Sequence, residues 1–133
     1  MSVFLDSTFF IAFTNTKDPN HRKAREISEM IKEGQFGSIY ISTYIFDEVL
    51  AFTLSRNSHG LAVGLGEVML GEDMTMLDIP KAIFDQSWEL FKERENLSFT
   101  DCTTAKLAEN YKIKNIVTFD NGFKQFKSLN ILS

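Results

Sequence analysis

The sequence predicts an α/β fold in three layers, with a central, mostly parallel sheet covered by helices on both faces. Short apolar runs alternate with longer amphipathic segments along the chain, and strands that alternate with helices form sheets of this kind. No repeat, low-complexity stretch or Pro/Gly-rich linker interrupts the 133 residues, a length typical of one domain. We therefore expect residues 1–133 to form a single domain.

Each strand is indicated by a short apolar run bounded by turn or helix signals. The first, Val3–Leu5, ends at Asp6, and the second, Ser38–Ser42, turns Ile39 and Ile41 toward the core. Parallel strands end at a common edge of the sheet, where ligands bind in such folds. The remaining strands are predicted at Met74–Leu77, Asn115–Phe119 and, as a short fifth, Leu129–Leu132.

The first two helices follow the first strand directly. Ser7–Phe13 is predicted as a short helix. Asp18 and Pro19 are typical of an N-cap and a first helical position, so we expect the second helix to start there. Gly34 is expected to end it. The apolar spacing of this helix turns four side chains inward: Ala24, Ile27, Met30 and Ile31.

Four further helices are predicted between the later strands. Thr43 caps the first of them, and Ser58–Leu70 forms the next. Lys81–Arg94 is amphipathic, and the last helix starts at Thr100 or Asp101. The residues on or near the inner face of Lys81–Arg94 are Ile83, Phe84, Ser87, Trp88, Leu90 and Phe91.

Composition excludes several classes of protein. The formal net charge of −4 argues against a protein that coats nucleic acid, because such proteins are basic. Cys102 is the only cysteine, which excludes an intrachain disulfide and a thiolate metal site. Asp6 interrupts the N-terminal apolar stretch, so a signal peptide is not expected. Because no run approaches the roughly 20 apolar residues of a membrane span, we expect a soluble, cytoplasmic protein.

Four carboxylates are directed toward one edge of the predicted sheet. Asp6 and Asp120 directly follow strands, Glu48 lies in the second turn after Thr43, and Asp101 lies near a helix start. Strand ends and the starts of the following helices share this edge, so the four side chains could converge. Four like charges would raise one another's pKa values unless cations were bound. Oxygen ligands suit Mg²⁺ or Mn²⁺.

Each acid also has a purely structural explanation. Asp6 and Asp101 could each cap the following helix, with Thr100 as a competitor for the second cap. Asp120 begins the good turn sequence Asp-Asn-Gly, and Glu48 could be a solvated helix residue beside Asp47. Periodicity alone does not decide between these explanations and a shared site.

Five segments, in order and spanning nearly the whole chain, resemble the motifs of PIN-domain nucleases. The first and last are strands that end in an acid, and the third carries the second acid at Glu48. Any one of them is weak evidence, whereas the ordered set is fairly specific. The segments are Val3–Thr8, Asp18–Ala24, Ile45–Leu50, Ser98–Ala105 and Ile116–Asp120.

The resemblance is closest to the VapC-like toxins of prokaryotic toxin–antitoxin pairs. It implies a three-layer α/β/α sandwich with a sheet of about five strands, and Mg²⁺- or Mn²⁺-dependent cleavage of RNA. It also implies a homodimer and inhibition by a small protein antitoxin. By position, Asp6, Glu48, Asp101 and Asp120 would be the catalytic and metal-binding acids, with Asp101 and Asp6 as direct ligands. Thr8 would be an auxiliary polar group.

RNA must be attracted to this acidic site, and the last third of the chain has a local basic excess. These cations could contact phosphates or could equally form a solubilising surface. Phe10, Phe13 and Phe52 could form a dimer or antitoxin surface, although such residues are more often core. The cations considered are Lys106, Lys112, Lys114, Lys124, Lys127 and Arg56.

Two other functions compete with this interpretation. A phosphotransfer enzyme of the haloacid-dehalogenase type also has an Asp at the end of its first strand, but it requires a second Asp two positions later, where this chain has Thr8. The other candidate is a catalytically inactive PIN-like module that binds RNA or protein. The intact set of acids favours the active enzyme.

Overall fold

A computed structural model describes all residues, Met1–Ser133, and contains one sheet of five parallel strands. The strands are β1 Ser2–Leu5, β2 Ser38–Ser42, β3 Met74–Leu77, β4 Asn115–Val117 and β5 Asn130–Leu132. Their order across the sheet is β3-β2-β1-β4-β5. The predicted parallel sheet is therefore confirmed, and β1 is its central strand.

Six α-helices connect the strands. Going from β1 to β2 to β3 the chain moves in one direction across the sheet, and from β3 to β4 it returns across it. Because parallel crossovers are right-handed, α1–α4 cover one face and α5 and α6 cover the other. The three-layer prediction is thus confirmed. The helices are α1 Ser7–Thr14, α2 His21–Lys32, α3 Thr43–Arg56, α4 His59–Met69, α5 Lys81–Glu93 and α6 Phe99–Tyr111, with a 3₁₀ helix at Asn121–Gln125. None of the helices is both long and apolar enough to cross a membrane.

The centre of the core is β1, which is covered on both faces. Val3, Phe4 and Leu5 are completely buried, as expected for a central parallel strand. The main-chain N–H of Asp6 donates to the carbonyl of Val117 at 3.0 Å, which continues the β1–β4 ladder by one residue. This bond fixes Asp6 at the carboxyl edge of the sheet, beside the end of β4.

The second helix begins later than predicted. Asp18 does not cap it, because the Asp18 Oδ1 accepts the N–H of Asn20 at 2.8 Å and forms a local turn instead. The helix starts at His21 and ends at Lys32, with Gly34 in the positive-φ conformation at 76°. Ala24 and Ile27 are buried as predicted, but Met30 is exposed. The prediction that Met30 points inward was wrong.

Helix α5 buries a narrower stripe than its sequence suggested. Ile83, Ser87 and Leu90 are buried, whereas Phe84, Trp88 and Phe91 are 38%, 48% and 38% exposed. The exposed rings pack against one another and against half-buried Phe99 at the start of α6, with ring centroids 5.1–6.0 Å apart. We call Phe84, Trp88, Phe91 and Phe99 the aromatic surface.

Two smaller boundaries also differ from the sequence predictions. Helix α3 is capped by Ser42, whose hydroxyl accepts the N–H of Ile45 at 3.1 Å, and not by Thr43. Strand β4 ends at Val117, two residues before the predicted end at Phe119. The hydroxyl of Thr118, just beyond β4, accepts the N–H of Asp120, so the chain leaves the strand pattern there.

Candidate active site

The structure places the four predicted acids at the carboxyl edge of the sheet, close enough to influence one another. Asp6 and Asp101 are buried, with 1% and 7% of their surface exposed, and Glu48 and Asp120 are half-buried. The charge of Glu48 raises the pKa of Asp6. The charges of Asp6 and Asp120 raise the pKa of Asp101. We call these four residues the carboxylate cluster.

Asp6 is held by two threonine hydroxyls. Thr8 Oγ1 and Thr118 Oγ1 each donate to Asp6 Oδ2 at 2.8 Å. Thr8 Oγ1 in turn accepts the N–H of Phe119, and Thr118 Oγ1 accepts the N–H of Asp120, both at 3.0 Å. Because each hydroxyl has a single proton, these main-chain donors direct both protons toward Asp6. Thr8 therefore contacts Asp6 directly, and its role as an auxiliary group of the site stays a prediction.

The second oxygen of Asp6 is different. Asp6 Oδ1 is buried and has no hydrogen-bond partner, a rare condition for a polar atom. Burial raises the pKa of Asp6 and the nearby Glu48 adds to the rise, while the bonds from Thr118 and Thr8 oppose it. Asp6 precedes α1 but makes no side-chain cap bond. The capping explanation for this residue was therefore wrong.

Asp101 is positioned by the start of α6. Ser98 is the N-cap, and its hydroxyl accepts the N–H of Asp101 at 3.1 Å, while Asp101 Oδ2 accepts the N–H of Ser98 at 3.1 Å. This reciprocal pair is a capping box, so neither Thr100 nor Asp101 is the N-cap. Burial raises the pKa of Asp101 to about 6, with further contributions from Asp6 and Asp120.

Glu48 faces both the cluster and solvent. Its Oε1 accepts a hydrogen bond from the Ser7 hydroxyl, which links α1 to α3. Glu48 also lines an open cavity of about 370 Å³ together with Tyr44, Phe99 and Thr100. Glu48 is therefore not a fully solvated helix residue, which was the structural explanation considered from the sequence.

Asp120 keeps the turn role that its sequence suggested. Its Oδ1 accepts the N–H of Gly122 at 2.8 Å and caps the 3₁₀ helix. It also lines a cavity of about 190 Å³ with Thr118, Asn20 and Lys124. A turn role and a place in the carboxylate cluster are thus combined in one residue.

The donor chemistry of the cluster fits a hard divalent cation. Every group is a carboxylate oxygen, which Mg²⁺ and Mn²⁺ prefer, and the unpartnered Asp6 Oδ1 lies among acids that repel one another. No group of three or more His, Cys, Asp or Glu side chains is arranged to hold an ion as the side chains stand. A shared ion held directly by three or more of these acids would therefore require their side chains to rearrange, whereas ligation through water would not.

Sequence analysis missed two hydroxyl residues of this region, Thr118 and Ser7. In the β1–β4 register Leu5 lies opposite Val117, so the next residues, Asp6 and Thr118, are neighbours. The apolar pattern does not supply this register, so the contact could not be predicted from the sequence. No sequence signal indicates the contact between Ser7 and Glu48.

The other residues singled out from the sequence are distributed over the molecule. Cys102 is buried, and burial, with a smaller effect of Asp101, raises the pKa of its thiol to about 11, as for an unreactive thiol packed in the core. Phe10 is buried in the core and cannot form a docking surface, whereas Phe13 is 37% exposed. Arg56 lies over the ring of Phe52, 5.1 Å from its centroid.

Comparisons with known proteins agree with this architecture. The model of the PIN domain family matches residues 3–129. A curated VapC ribonuclease from Archaeoglobus fulgidus is 25% identical over 126 residues, which cover 92% of this chain and 80% of the relative.

Solved structures are similar over almost the full length. VapC20 from Mycobacterium tuberculosis, described as a toxin that cleaves the sarcin–ricin loop, superposes with a TM-score of 0.83 at 23% identity and covers 94% of this chain and 95% of its own. A toxin–antitoxin complex from Klebsiella pneumoniae gives 0.68 at 15% identity, with 96% and 95% covered. At these identities the structures establish the shared fold.

Proposed function

The chain belongs to the PIN domain family, and from that premise we propose that it is a metal-dependent endoribonuclease, the toxin of a toxin–antitoxin pair. The observation that carries the proposal is the buried, unpartnered Asp6 Oδ1 beside Glu48, Asp101 and Asp120. The similarity to a curated VapC ribonuclease over 92% of the chain supports the choice of RNA as substrate.

Asp6 and Asp101 are the proposed direct metal ligands. Glu48 and Asp120 bind either directly or through water, and Thr8 orients Asp6. A bound Mg²⁺ or Mn²⁺ supplies the activation of water and the stabilisation of the leaving oxygen in phosphodiester hydrolysis.

The residues of the chain prepare the site for this chemistry. Two hydroxyls fix Asp6 Oδ2, so Oδ1 keeps its direction. Asp101 must be ionised to hold a cation, and its raised pKa of about 6 means that protons would compete with the cation as the pH falls through about 6. Lys124 lines the cavity beside Asp120 and is placed to attract a phosphate of the substrate.

Cleavage assays with matched variants test the proposal. We expect the wild-type protein to cleave RNA with Mg²⁺ or Mn²⁺ and to be inactive after chelation. Asp101→Asn and Glu48→Gln should each lower the rate about 100-fold or more, because each removes a charged ligand. Asp47→Asn is the control, since exposed Asp47 lines the same cavity as Glu48 outside the cluster.

The alternative function is a PIN-like module that binds RNA or protein without cutting. No metal-dependent cleavage by the wild-type protein, over structured and unstructured RNAs, would establish that alternative and refute the nuclease. Equal losses of activity in Asp47→Asn and Glu48→Gln would show that the cluster has no special role.

We further propose that residues 1–133 act as one cytoplasmic domain with a small protein antitoxin and a second copy of the chain as partners. The similarity to a structure described as a toxin–antitoxin complex supports the first partner. The aromatic surface, with Trp88 48% exposed, supports the second, because such patches mark interfaces. Sedimentation should then give a mass twice the chain mass of 15.2 kDa. The Trp88→Glu variant should instead sediment with the mass of a single chain.

A further inference from the structure

A cavity of about 390 Å³ lies on the α5–α6 face, along α6 and beside the loops that enter β4 and β5. Its volume is in the range of small-ligand sites. Four of its lining residues are cations, Arg94, Lys106, Lys112 and Lys114, and part of its wall is the ring of Phe126. We call these five residues the basic pocket. No member of the carboxylate cluster lines it.

The charges of the basic pocket are not balanced within the chain. Glu109 is the one acid that lines the cavity, and it pairs with Lys106 at 3.2 Å. Arg94, Lys112 and Lys114 have no carboxylate within salt-bridge distance. Three positive charges thus gather in one concave site of a protein whose net charge is −4. Such a site attracts a polyanion.

Phe126 gives the basic pocket a flat wall. The ring is half-buried, and the guanidinium of Arg94 lies over it, 5.9 Å from the ring centroid. Aromatic rings and guanidinium planes are the surfaces on which unpaired RNA bases stack. The combination of stacking plane and free cations suits a nucleic-acid strand better than an acidic protein segment, which would use the charges alone.

Helix α6 connects the basic pocket to the carboxylate cluster. Asp101 lies in its first turn, Lys106 in its middle, and Lys112 directly after its last residue, Tyr111. Asp101 and Lys112 are eleven positions apart along this helix and its C-cap, a distance of about 16 Å. A stacked strand carries one phosphate per 3.4 Å, so about five phosphates span this distance.

We propose that the basic pocket is a second binding site for the RNA substrate, which holds backbone phosphates about five nucleotides from the bond placed at the carboxylate cluster. The inference rests on the proposed function. It also assigns different surroundings to the lysines in the last third of the chain. Lys106, Lys112 and Lys114 line the basic pocket. Lys124 lines the cavity of Asp120, and Lys127 lines neither cavity.

The test compares RNA binding in a background that cannot cut. In Asp101→Asn, the added pair Lys112→Ala and Lys114→Ala should weaken binding of an oligouridylate of about 16 nucleotides by about 25-fold at 0.1 M salt, because each phosphate contact contributes about fivefold through counterion release. The slope of log affinity against log salt should fall by about 1.4. An oligouridylate of about 4 nucleotides, too short to occupy both sites at once, should lose much less affinity in the variant than the long RNA does.

The matched control is Lys17→Ala with Lys23→Ala. Both lysines are exposed, neither forms a salt bridge, and neither lines the basic pocket. The melting temperature of each variant verifies folding. Equal affinity of the Lys112/Lys114 variant and its parent for the long RNA overturns the proposal, as does an equal loss in the control pair.

Two outcomes separate this inference from the proposed function. If wild-type protein cuts RNA and the Lys112/Lys114 variant binds long RNA normally but loses binding of polyglutamate, the pocket serves an acidic protein and the inference is wrong. If wild-type protein cuts no RNA but the variant shows the length-dependent loss, the pocket is an RNA site and the nuclease proposal alone is wrong.

Discussion

The two oxygens of Asp6 are in opposite situations. Oδ2 accepts bonds from the Thr8 and Thr118 hydroxyls, while Oδ1 is buried without a partner. Since main-chain N–H groups hold both hydroxyls, rotation of the carboxylate would break several hydrogen bonds at once. Residues that orient a ligand in this way tune metal affinity.

Thr118→Val tests this positioning role. It removes one of the two bonds to Asp6 Oδ2 and leaves the N–H of Asp120 without its acceptor. We expect the metal concentration for half-maximal cleavage to rise about 10-fold, and Thr118→Ser to stay near wild type because the hydroxyl is kept. Metal titrations of RNA cleavage measure both effects.

Thr53→Val is the control for this change. Thr53 is also buried, but it lies on α3 and makes no hydrogen bond to Asp6. The Thr53→Val variant should therefore need the same metal concentration for half-maximal cleavage as wild type. If Thr118→Val also needs no more metal than wild type, Thr118 does not position Asp6.

Asp6 was identified from its position directly after an apolar strand, and Thr8 was added by the resemblance to PIN domains. Thr118 was not identified, because its contact with Asp6 joins positions 112 residues apart and depends on the β1–β4 register. Apolar periodicity indicates that both segments are strands, but it does not state which residues lie opposite each other. Contacts between hydroxyls and acids on different elements were therefore beyond its reach.

At the scale of elements, the start of α6 links helix stability to the position of Asp101. Ser98→Ala removes the cap and should lower the free energy of unfolding by about 1 kcal/mol. It also removes one bond of the reciprocal pair that orients Asp101. We expect a loss of RNA cleavage beyond the loss of stability, measured by denaturant unfolding and by cleavage rates well below the melting temperature.

A second helix of the same protein supplies the comparison. Ser58 caps α4 by accepting the N–H of Leu61 at 3.1 Å, without an acid in a capping box. Ser58→Ala should cost a similar free energy and leave the cleavage rate unchanged. Similar rates in both alanine variants would mean that the capping box does not contribute to the site.

The existence of each predicted helix and strand was confirmed, while several boundaries and faces were not. Asp18 resembles an N-cap, but its side chain closes a turn before His21. The rings of Phe84, Trp88 and Phe91 are as apolar as core residues, so composition placed them inward. Nothing in one sequence distinguishes a ring packed in the core from a ring packed on a neighbouring surface ring, which is the arrangement found.

For the molecule as a whole, we expect the carboxylate cluster to make the stability depend on pH and on added metal. The folded-state pKa of Asp101, about 6, exceeds its unfolded value of 3.8. Its contribution to the stability of metal-free protein is therefore present below about pH 4 and is lost as pH rises through about 6. The pKa of Asp6 is shifted in the same direction, and a bound cation removes the cost of the ionised forms.

Urea unfolding with chelator across this pH range measures the effect. Relative to Asp101→Asn, the free energy of unfolding of metal-free wild type should fall by up to about 3 kcal/mol between about pH 4 and pH 7, since one pKa unit corresponds to 1.36 kcal/mol. Added Mg²⁺ should stabilise wild type more at neutral pH than at about pH 5, because protons compete for the same oxygens. Parallel pH profiles for the two proteins would contradict the raised pKa.

The architecture was the most predictable level. Alternating strands and helices determine a parallel sheet covered on both faces, and the position of acids after strands determines the edge where they meet. The clustering of positive charges on the α5–α6 face could not be predicted. In the basic pocket, Arg94 at the end of α5 lies near the lysines that follow α6. That grouping depends on how α5 packs against α6.

The path of β1 and β4 has a consequence for the protein during its synthesis. Asp6 is synthesised before Thr118, the threonine that holds it, which follows 112 positions later. At ribosomal speeds of 5–20 residues per second, this interval lasts roughly 6 to 22 s. A nascent chain therefore carries an incomplete centre until Thr118 has been translated.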